Sequence, residues 1–129
     1  MNLNQITLPA IDYAASVAFY RAMGFTQIVD APPRYARFEC PVGTATFSIH
    51  SVAALAEDTG VVIYFECDDV DSKVQELQLK GFNFTKLPTD ERYLWREARL
   101  SDPSGNIICL YFAGENRKNP PWRLAAEIG

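Results

Sequence analysis

Long hydrophobic runs are missing from this 129-residue chain. A stretch such as Gly60-Val61-Val62-Ile63-Tyr64-Phe65 falls far short of the roughly 20 apolar residues a bilayer-spanning helix needs, so no membrane segment is expected. Met1-Asn2-Leu3-Asn4-Gln5 lacks a basic region followed by an apolar one, so no secretory signal is expected and a cytoplasmic location is. Cysteine is sparse. Cys40, Cys67 and Cys109 are far apart, odd in number and in no Cys-x-x-Cys pattern. That argues against a disulfide framework or thiolate zinc site and for reduced, buried thiols. Positive charge is also short, with 12 Lys and Arg against 16 Asp and Glu and a net charge of −4. The nearest approach to a basic cluster is Arg117-Lys118, so no nucleic-acid partner is expected. Histidine occurs once, as His50.

What remains is the composition of an ordinary globular domain, 48% hydrophobic and 22% charged, and the length suits one domain over residues 1–129. Its signals come in pairs. An apolar stretch at Ile6-Thr7-Leu8 leads through Asp12, a suitable N-cap, into a helical pattern. Ala15, Ala18, Phe19, Ala22 and Met23 recur on its expected buried face. Gly24 is placed to end the helix in the left-handed conformation, and Phe25–Val29 follows as a strand. The order then repeats. Val61–Cys67 reads as a strand, Asp68 or Asp69 caps a helix carrying Val70, Val74 and Leu77, Gly81 ends it, and Phe82-Asn83-Phe84-Thr85 begins another strand. Further strands are expected at Tyr35–Cys40, Thr44–His50, Tyr93–Leu100 and Asn106–Phe112, with Asp102-Pro103-Ser104-Gly105 forming a type I turn. The pattern implies an α+β fold of two tandem βαβββ modules, about 3–51 and 60–113, with a C-terminal arm over 114–129.

Asp12-Tyr13-Ala14-Ala15-Ser16-Val17-Ala18-Phe19-Tyr20 with Met23-Gly24-Phe25 resembles the first-module signature of the glyoxalase, bleomycin-resistance and ring-cleaving dioxygenase superfamily (vicinal oxygen chelate fold). Asp102-Pro103-Ser104-Gly105-Asn106 followed by Ile107-Ile108-Cys109-Leu110 resembles its C-terminal signature. The resemblance spans roughly residues 3 to 112. It implies a cup-shaped mixed, largely antiparallel sheet with helices on the outer face, a ligand inside the cup and a homodimer. In metal-dependent members four strands each supply one ligand to a divalent ion. Those positions fall here on Gln5, Ser48, Val62 and Cys109. Only Gln5 has a suitable donor for a hard cation, so no metal and no cofactor are expected. His50 and Glu66 lie on the same strand faces as Ser48 and Val62, and with Gln5 make at best an improvised set.

Alternation along the strands extends these positions into an inward-facing set. It contains Gln5, Thr7, Thr46, Ser48, His50, Val62, Tyr64, Glu66, Cys109 and Tyr111. Resemblance to fosfomycin-resistance relatives adds Tyr93, Glu97 and Arg99, and parity adds Trp95. The ligand-contact candidates are Gln5, Ser48, His50, Tyr64, Glu66, Tyr93, Trp95, Glu97, Arg99, Cys109 and Tyr111, an aromatic lining with a few charges. Each has a plainer reading. Glu97 and Arg99 can pair with each other, the aromatics can fill a collapsed core, and Cys109, with no basic neighbour, stays protonated and inert. Ser48 with His50 lacks the orienting acid and oxyanion donors of a catalytic pair, so no catalytic residue is expected. In the arm, Pro120-Pro121 favours an extended course, and Trp122 is expected to dock on the domain or a partner subunit, or to close the cup. The function this favours is non-catalytic small-molecule binding, similar to bleomycin-resistance proteins. The alternatives are a metal-dependent lyase, isomerase or dioxygenase, and an interaction module with a filled cup.

Overall fold

The computed structural model describes residues 1–55 and 60–125; the last residues of the arm, 126–129, lie outside the described residues. In chain order the first module has β1 (Gln5–Ala10), α1 (Tyr13–Met23), β2 (Thr26–Ala31), β3 (Tyr35–Glu39) and β4 (Thr46–Ser51). The second has β5 (Val62–Glu66), α2 (Val70–Leu79), β6 (Lys86–Asp90), β7 (Arg96–Ser101) and β8 (Ile107–Phe112). Each builds one four-stranded sheet, ordered β1-β4-β3-β2 and β5-β8-β7-β6, so the βαβββ unit is used twice with the same topology. In the first sheet β1 runs parallel to β4 while β2–β3 and β3–β4 are antiparallel. The chain divides into two compact units, Met1–Val62 with Ser101–Ile107, and Ile63–Leu100 with Ile108–Gly129. No helix among the described residues is long and apolar enough to cross a membrane.

The local chemistry explains both helices. Asp12 and Asp69 are extended N-caps whose carboxylates accept from Ala15 N at 3.1 Å and Ser72 N at 3.0 Å, which settles the second cap on Asp69. Gly24 (φ 109°) and Gly81 (φ 94°) take the left-handed conformation at the other ends. Phe25 N then donates to Tyr20 O and Phe82 N to Leu77 O, the same double-bonded helix exit in both modules.

The two modules differ after that exit. In the first, β2 starts at Thr26. In the second, the expected strand at Phe82–Thr85 is not formed, and β6 begins at Lys86. Phe84 packs instead on the α2 core of Val70, Val74 and Ala98, and strand pairing starts only where Thr85 N donates to Arg99 O. The α1 face also differs from the periodicity reading. Ser16, Tyr20 and Met23 are buried, while Ala18 and Ala22 are exposed. Tyr20 rather than Phe19 is aimed at the sheet, with its ring 4.9 to 6.3 Å from those of Phe25, Phe38 and Phe47.

The two quoted signatures turn out to be one structural clasp. Burial and the neighbouring Asp102 carboxylate hold the Tyr20 phenol protonated, and it donates to Asp102 Oδ2 at 2.6 Å. The same carboxylate accepts from Ser104 N, Asn106 N and Asn106 Nδ2, and Asn106 reaches on to Pro9 O. Gly105 N donates to Asp102 O, closing the expected turn. A buried Asp with this many donors locks the 101–107 turn onto the first unit.

Each helix covers one face of its own sheet. Leu8, Ala10, Ala36, Phe38, Phe47 and Ile49 are buried in the first unit, and Ala98, Leu100, Ile108 and Leu110 join α2 in the second. Strand alternation sends the intervening residues to the opposite faces, where the candidate site residues lie.

Candidate functional site

The opposite face of the second sheet is an aromatic cluster around one buried acid. Trp95 stacks on Tyr111 (centroids 4.7 Å, interplanar 21°), and Tyr64 meets both rings edge-on at 5.7 and 5.6 Å. Tyr93 sits 5.9 Å from Trp95. The strand expected from Tyr93, on which parity placed Trp95, begins only at Arg96, so Tyr93 and Trp95 lie before β7. They belong to the β6–β7 turn, where Leu94 takes a positive φ of 67° and Glu91 N donates to Trp95 O. The Trp95 ring nonetheless lies on the face that parity assigns it, stacked on Tyr111, and Tyr93 lies beside it.

Glu97 is 1% exposed and is surrounded by donors. Tyr93 donates its phenol to Oε1, Lys86 Nζ lies 3.3 Å from the same oxygen, and Cys109 Sγ donates to Oε2 at 3.0 Å. Arg99 adds an ion pair at 3.6 Å and reaches Tyr64 Oη at 3.4 Å. Burial alone would raise the Glu97 carboxyl, but the bonds from Tyr93, Cys109 and Lys86 and the Arg99 charge outweigh it, so its pKa lies below the usual value. The Cys109 thiol responds in the opposite sense: burial first, then the Glu97 bond and charge, push it up to about 12. Burial and Glu97 push the Tyr93 phenol up to about 12 as well. Lys86 and Glu91, which the sequence reading did not single out, complete the network through their own ion pair. Glu66 is exposed at the end of β5, close enough that its charge helps raise the Tyr111 phenol after burial has done so.

The opposite face of the first sheet is polar and carries no such cluster of rings. Register pairs Gln5 with Thr46, Ser48 with Thr7 and Arg37, and His50 with Tyr35. Gln5 Nε2 donates to Ser48 Oγ at 2.7 Å and to the Ile6 carbonyl, and Thr46 Oγ1 donates to Gln5 Oε1. Ser48 is fully buried and shares a proton with Tyr35 Oη at 2.5 Å. Arg37 Nε donates to the same phenol at 2.9 Å, its guanidinium 5.5 Å above the Tyr35 ring. The Ser48 bond and Arg37 outweigh burial and lower the Tyr35 pKa. His50 is exposed. Tyr35 and Arg37 were missed, although β3 was expected. Its own alternation, continued from Ser48 across the sheet, would have found them.

At the positions where the resemblance implies metal ligands, the residues do not fit a divalent ion. The Gln5 carbonyl oxygen is taken by Thr46, Ser48 is tied to Gln5 and Tyr35, Val62 has no donor atom, and the Cys109 thiol is protonated and bonded to Glu97. Among the described residues no three His, Cys, Asp or Glu side chains converge as a metal would require.

Other expectations shift. Cys109 is buried, but Cys40 and Cys67 are only half-buried; all three are free thiols. The arm is not extended, since Gly114–Arg117 forms a 3-10 turn from which the Asn116 carbonyl accepts the Trp95 indole N–H at 3.3 Å. A second turn follows, closed by Arg123 N on Pro120 O. It leaves Trp122 57% exposed rather than docked on the domain. A groove of about 550 Å³ lies beside α1 and β2, lined by Tyr13, Val17, Ala18, Arg21, Gln27 and Asp30, and includes none of the expected site residues.

Comparison with known proteins gives the same fold. The chain matches no curated protein. It is similar in structure to a glyoxalase/bleomycin resistance protein/dioxygenase from Nocardioides, at 23% identity over 97% of this chain and 90% of that one, with a TM-score of 0.75. A lactoylglutathione lyase from Agrobacterium tumefaciens aligns at 19% identity over 85% and 92% of the two chains, TM-score 0.71. A bleomycin-binding protein complexed with bleomycin aligns at 17% over 86% and 98%, TM-score 0.71. At these identities the likeness is one of fold, shared by proteins of different named activity. The sequence profile described as "Glyoxalase/Bleomycin resistance protein/Dioxygenase superfamily" matches residues 2–110, nearly the whole of the two modules, and the chain belongs to that superfamily.

Proposed function

We propose that this chain binds a small organic molecule against the aromatic face of its second module, without a divalent metal and without catalysing a reaction. One contact carries the reading: the Cys109 thiol bonded to Glu97 at 3.0 Å. The position from which a metal ligand would come is occupied by a protonated group that holds a buried carboxylate in place. Beside it, Tyr64 and Tyr93 expose 43% and 41% of their surface, so ring area remains open for stacking. An apolar aromatic patch with a few fixed polar groups suits a small molecule. Lys86 and Arg99 together offset the charges of Glu91 and Glu97, so the polar groups around the patch carry no net charge. The neighbour complexed with bleomycin supports the class of function, small-molecule binding, and not the identity of the ligand. The same reading makes the chain a cytoplasmic homodimer with exposed Trp122 available to a partner subunit; sedimentation as a monomer at micromolar concentration would contradict the dimer.

The test uses Trp122→Phe, in which Trp95 is the remaining indole. Naphthoate, a naphthylammonium salt and S-benzylglutathione are titrated and followed by indole fluorescence and melting temperature. At least one is expected to quench Trp95 saturably and raise the melting temperature, with Tyr64→Ala weakening it by roughly tenfold. No saturable response to any of the three would remove the proposal.

A further inference from the structure

We propose that the polar face of the first sheet is an anion-binding site, in which Arg37, Tyr35 and Ser48 take a carboxylate or phosphate group of a small molecule. Gln5 Nε2 contacts the Ile6 carbonyl, which only accepts, so the amide orientation is fixed and Ser48 Oγ must accept from Gln5. Tyr35 Oη accepts from Arg37 Nε. One proton joins Ser48 and Tyr35, and either can supply it. Two hydroxyl protons therefore serve one contact, and the other is spare. Of the other acceptors in the chain of contacts, Gln5 Oε1 accepts from Thr46 and the Ile6 carbonyl from Gln5. The cluster has surplus donors.

Arg37 adds charge to that surplus. Four other Lys or Arg side chains among the described residues are partly buried, namely Lys73, Lys86, Arg96 and Arg99, and each pairs with a carboxylate. Arg37 is half-buried and pairs with none among the described residues; its one side-chain bond is to a phenol. Glu39, two residues along the same strand, is exposed and does not supply the missing charge. The terminal guanidinium N–H groups thus lie beside a spare hydroxyl, a combination that matches the oxygens of a carboxylate or phosphate. Ser48, at a position where metal-dependent relatives place a ligand, here belongs to a pair with a proton to spare, so the sign of the preferred guest is inverted. The inference does not depend on the aromatic face of the second module.

The experiment follows the side-chain Nε–Hε resonance of Arg37 by ¹⁵N–¹H NMR in wild-type protein. Sodium phosphate and sodium acetate are added at ionic strength held constant with sodium chloride, and exposed Arg34 serves as internal reference. A saturable shift of Arg37 that Arg34 does not share is expected, with phosphate or acetate tighter according to the natural head group. Arg37→Gln, followed by backbone amides of β3 and β4, should weaken binding at least about tenfold, and Tyr35→Phe about threefold or more. If Arg37→Gln fails to fold, the wild-type titration decides alone. Non-saturating shifts equal for Arg37 and Arg34, or unchanged affinity in folded Arg37→Gln, would overturn the site.

Discussion

The two modules share a topology, an Asp N-cap and a glycine exit, yet use the free faces of their sheets in opposite ways. In the first, Tyr35, Ser48 and Gln5 form a chain of hydroxyl and amide groups beside Arg37, which pairs with no acid among the described residues. In the second, an acid is already enclosed by Lys86, Tyr93, Cys109 and Arg99, and stacked rings surround it. Their cores differ too. Tyr20 and Leu77 occupy equivalent helical positions, each five residues after the amide that the cap accepts and four before the terminal glycine, and both are fully buried. A phenol needs a polar partner in the core and finds Asp102; a leucine needs none. The duplication repeats the residues that set the backbone, while each module's polar groups settle its own chemistry.

The comparison breaks most sharply at Asp102. Asp102→Ala orphans Tyr20 Oη and the donors of Ser104 and Asn106, and should cost roughly 3–5 kcal/mol in urea unfolding. A loss under about 1 kcal/mol would mean the clasp is decorative. In the second module, Glu97→Gln should cost roughly 1–3 kcal/mol by weakening the bonds from Tyr93, Lys86 and Cys109. It should also change the acid limb. Because the native pKa of Glu97 is depressed, its contribution to stability is present above the ordinary value of 4.5 and is lost as pH falls through the native value. The variant should therefore flatten the fall in stability below that pH; an unaltered slope would deny the ionised acid. Tyr20→Phe makes the first core more like the second while leaving Asp102 its backbone and Asn106 donors, and should cost about 1–2 kcal/mol. The smallest effect is kinetic. Under native conditions near neutral pH, Cys109 should react with iodoacetamide more slowly than half-buried Cys40, because its thiol is buried and shifted to about 12. Mass spectrometry of partly alkylated protein reads the order directly.

Much of this fold was legible because it rests on short-range rules. Asp12 and Gly24, and the same pair in the second module, are local signals with local causes, and the apolar face of α2 follows from periodicity. What was not legible depended on neighbours distant in sequence. The rotated face of α1 is set by Tyr20 reaching Asp102. The late start of β6 is set by Phe84 finding the α2 core, and the turn placing Tyr93 and Trp95 by a left-handed Leu94 that no turn residue advertises. On the site, alternation gave Tyr64, Trp95 and Tyr111 and the family resemblance gave Tyr93 and Glu97, but neither gave Lys86, which meets Glu97 from a strand whose register shifts between Lys86 and Thr89, nor Glu91, which pairs with Lys86. Arg37 escaped because nothing in its flanking residues marks it as lacking an acid.

Metal content decides the central claim most directly. Purified chain, saturated in turn with nickel, zinc and iron(II) and then dialysed, is assayed by elemental analysis beside Gln5→Ala. Because Cys109 is committed to Glu97 and Gln5 to Thr46 and Ser48, both proteins should retain only background metal. One ion retained per wild-type chain and lost in Gln5→Ala would contradict the account and favour the metal-dependent enzyme.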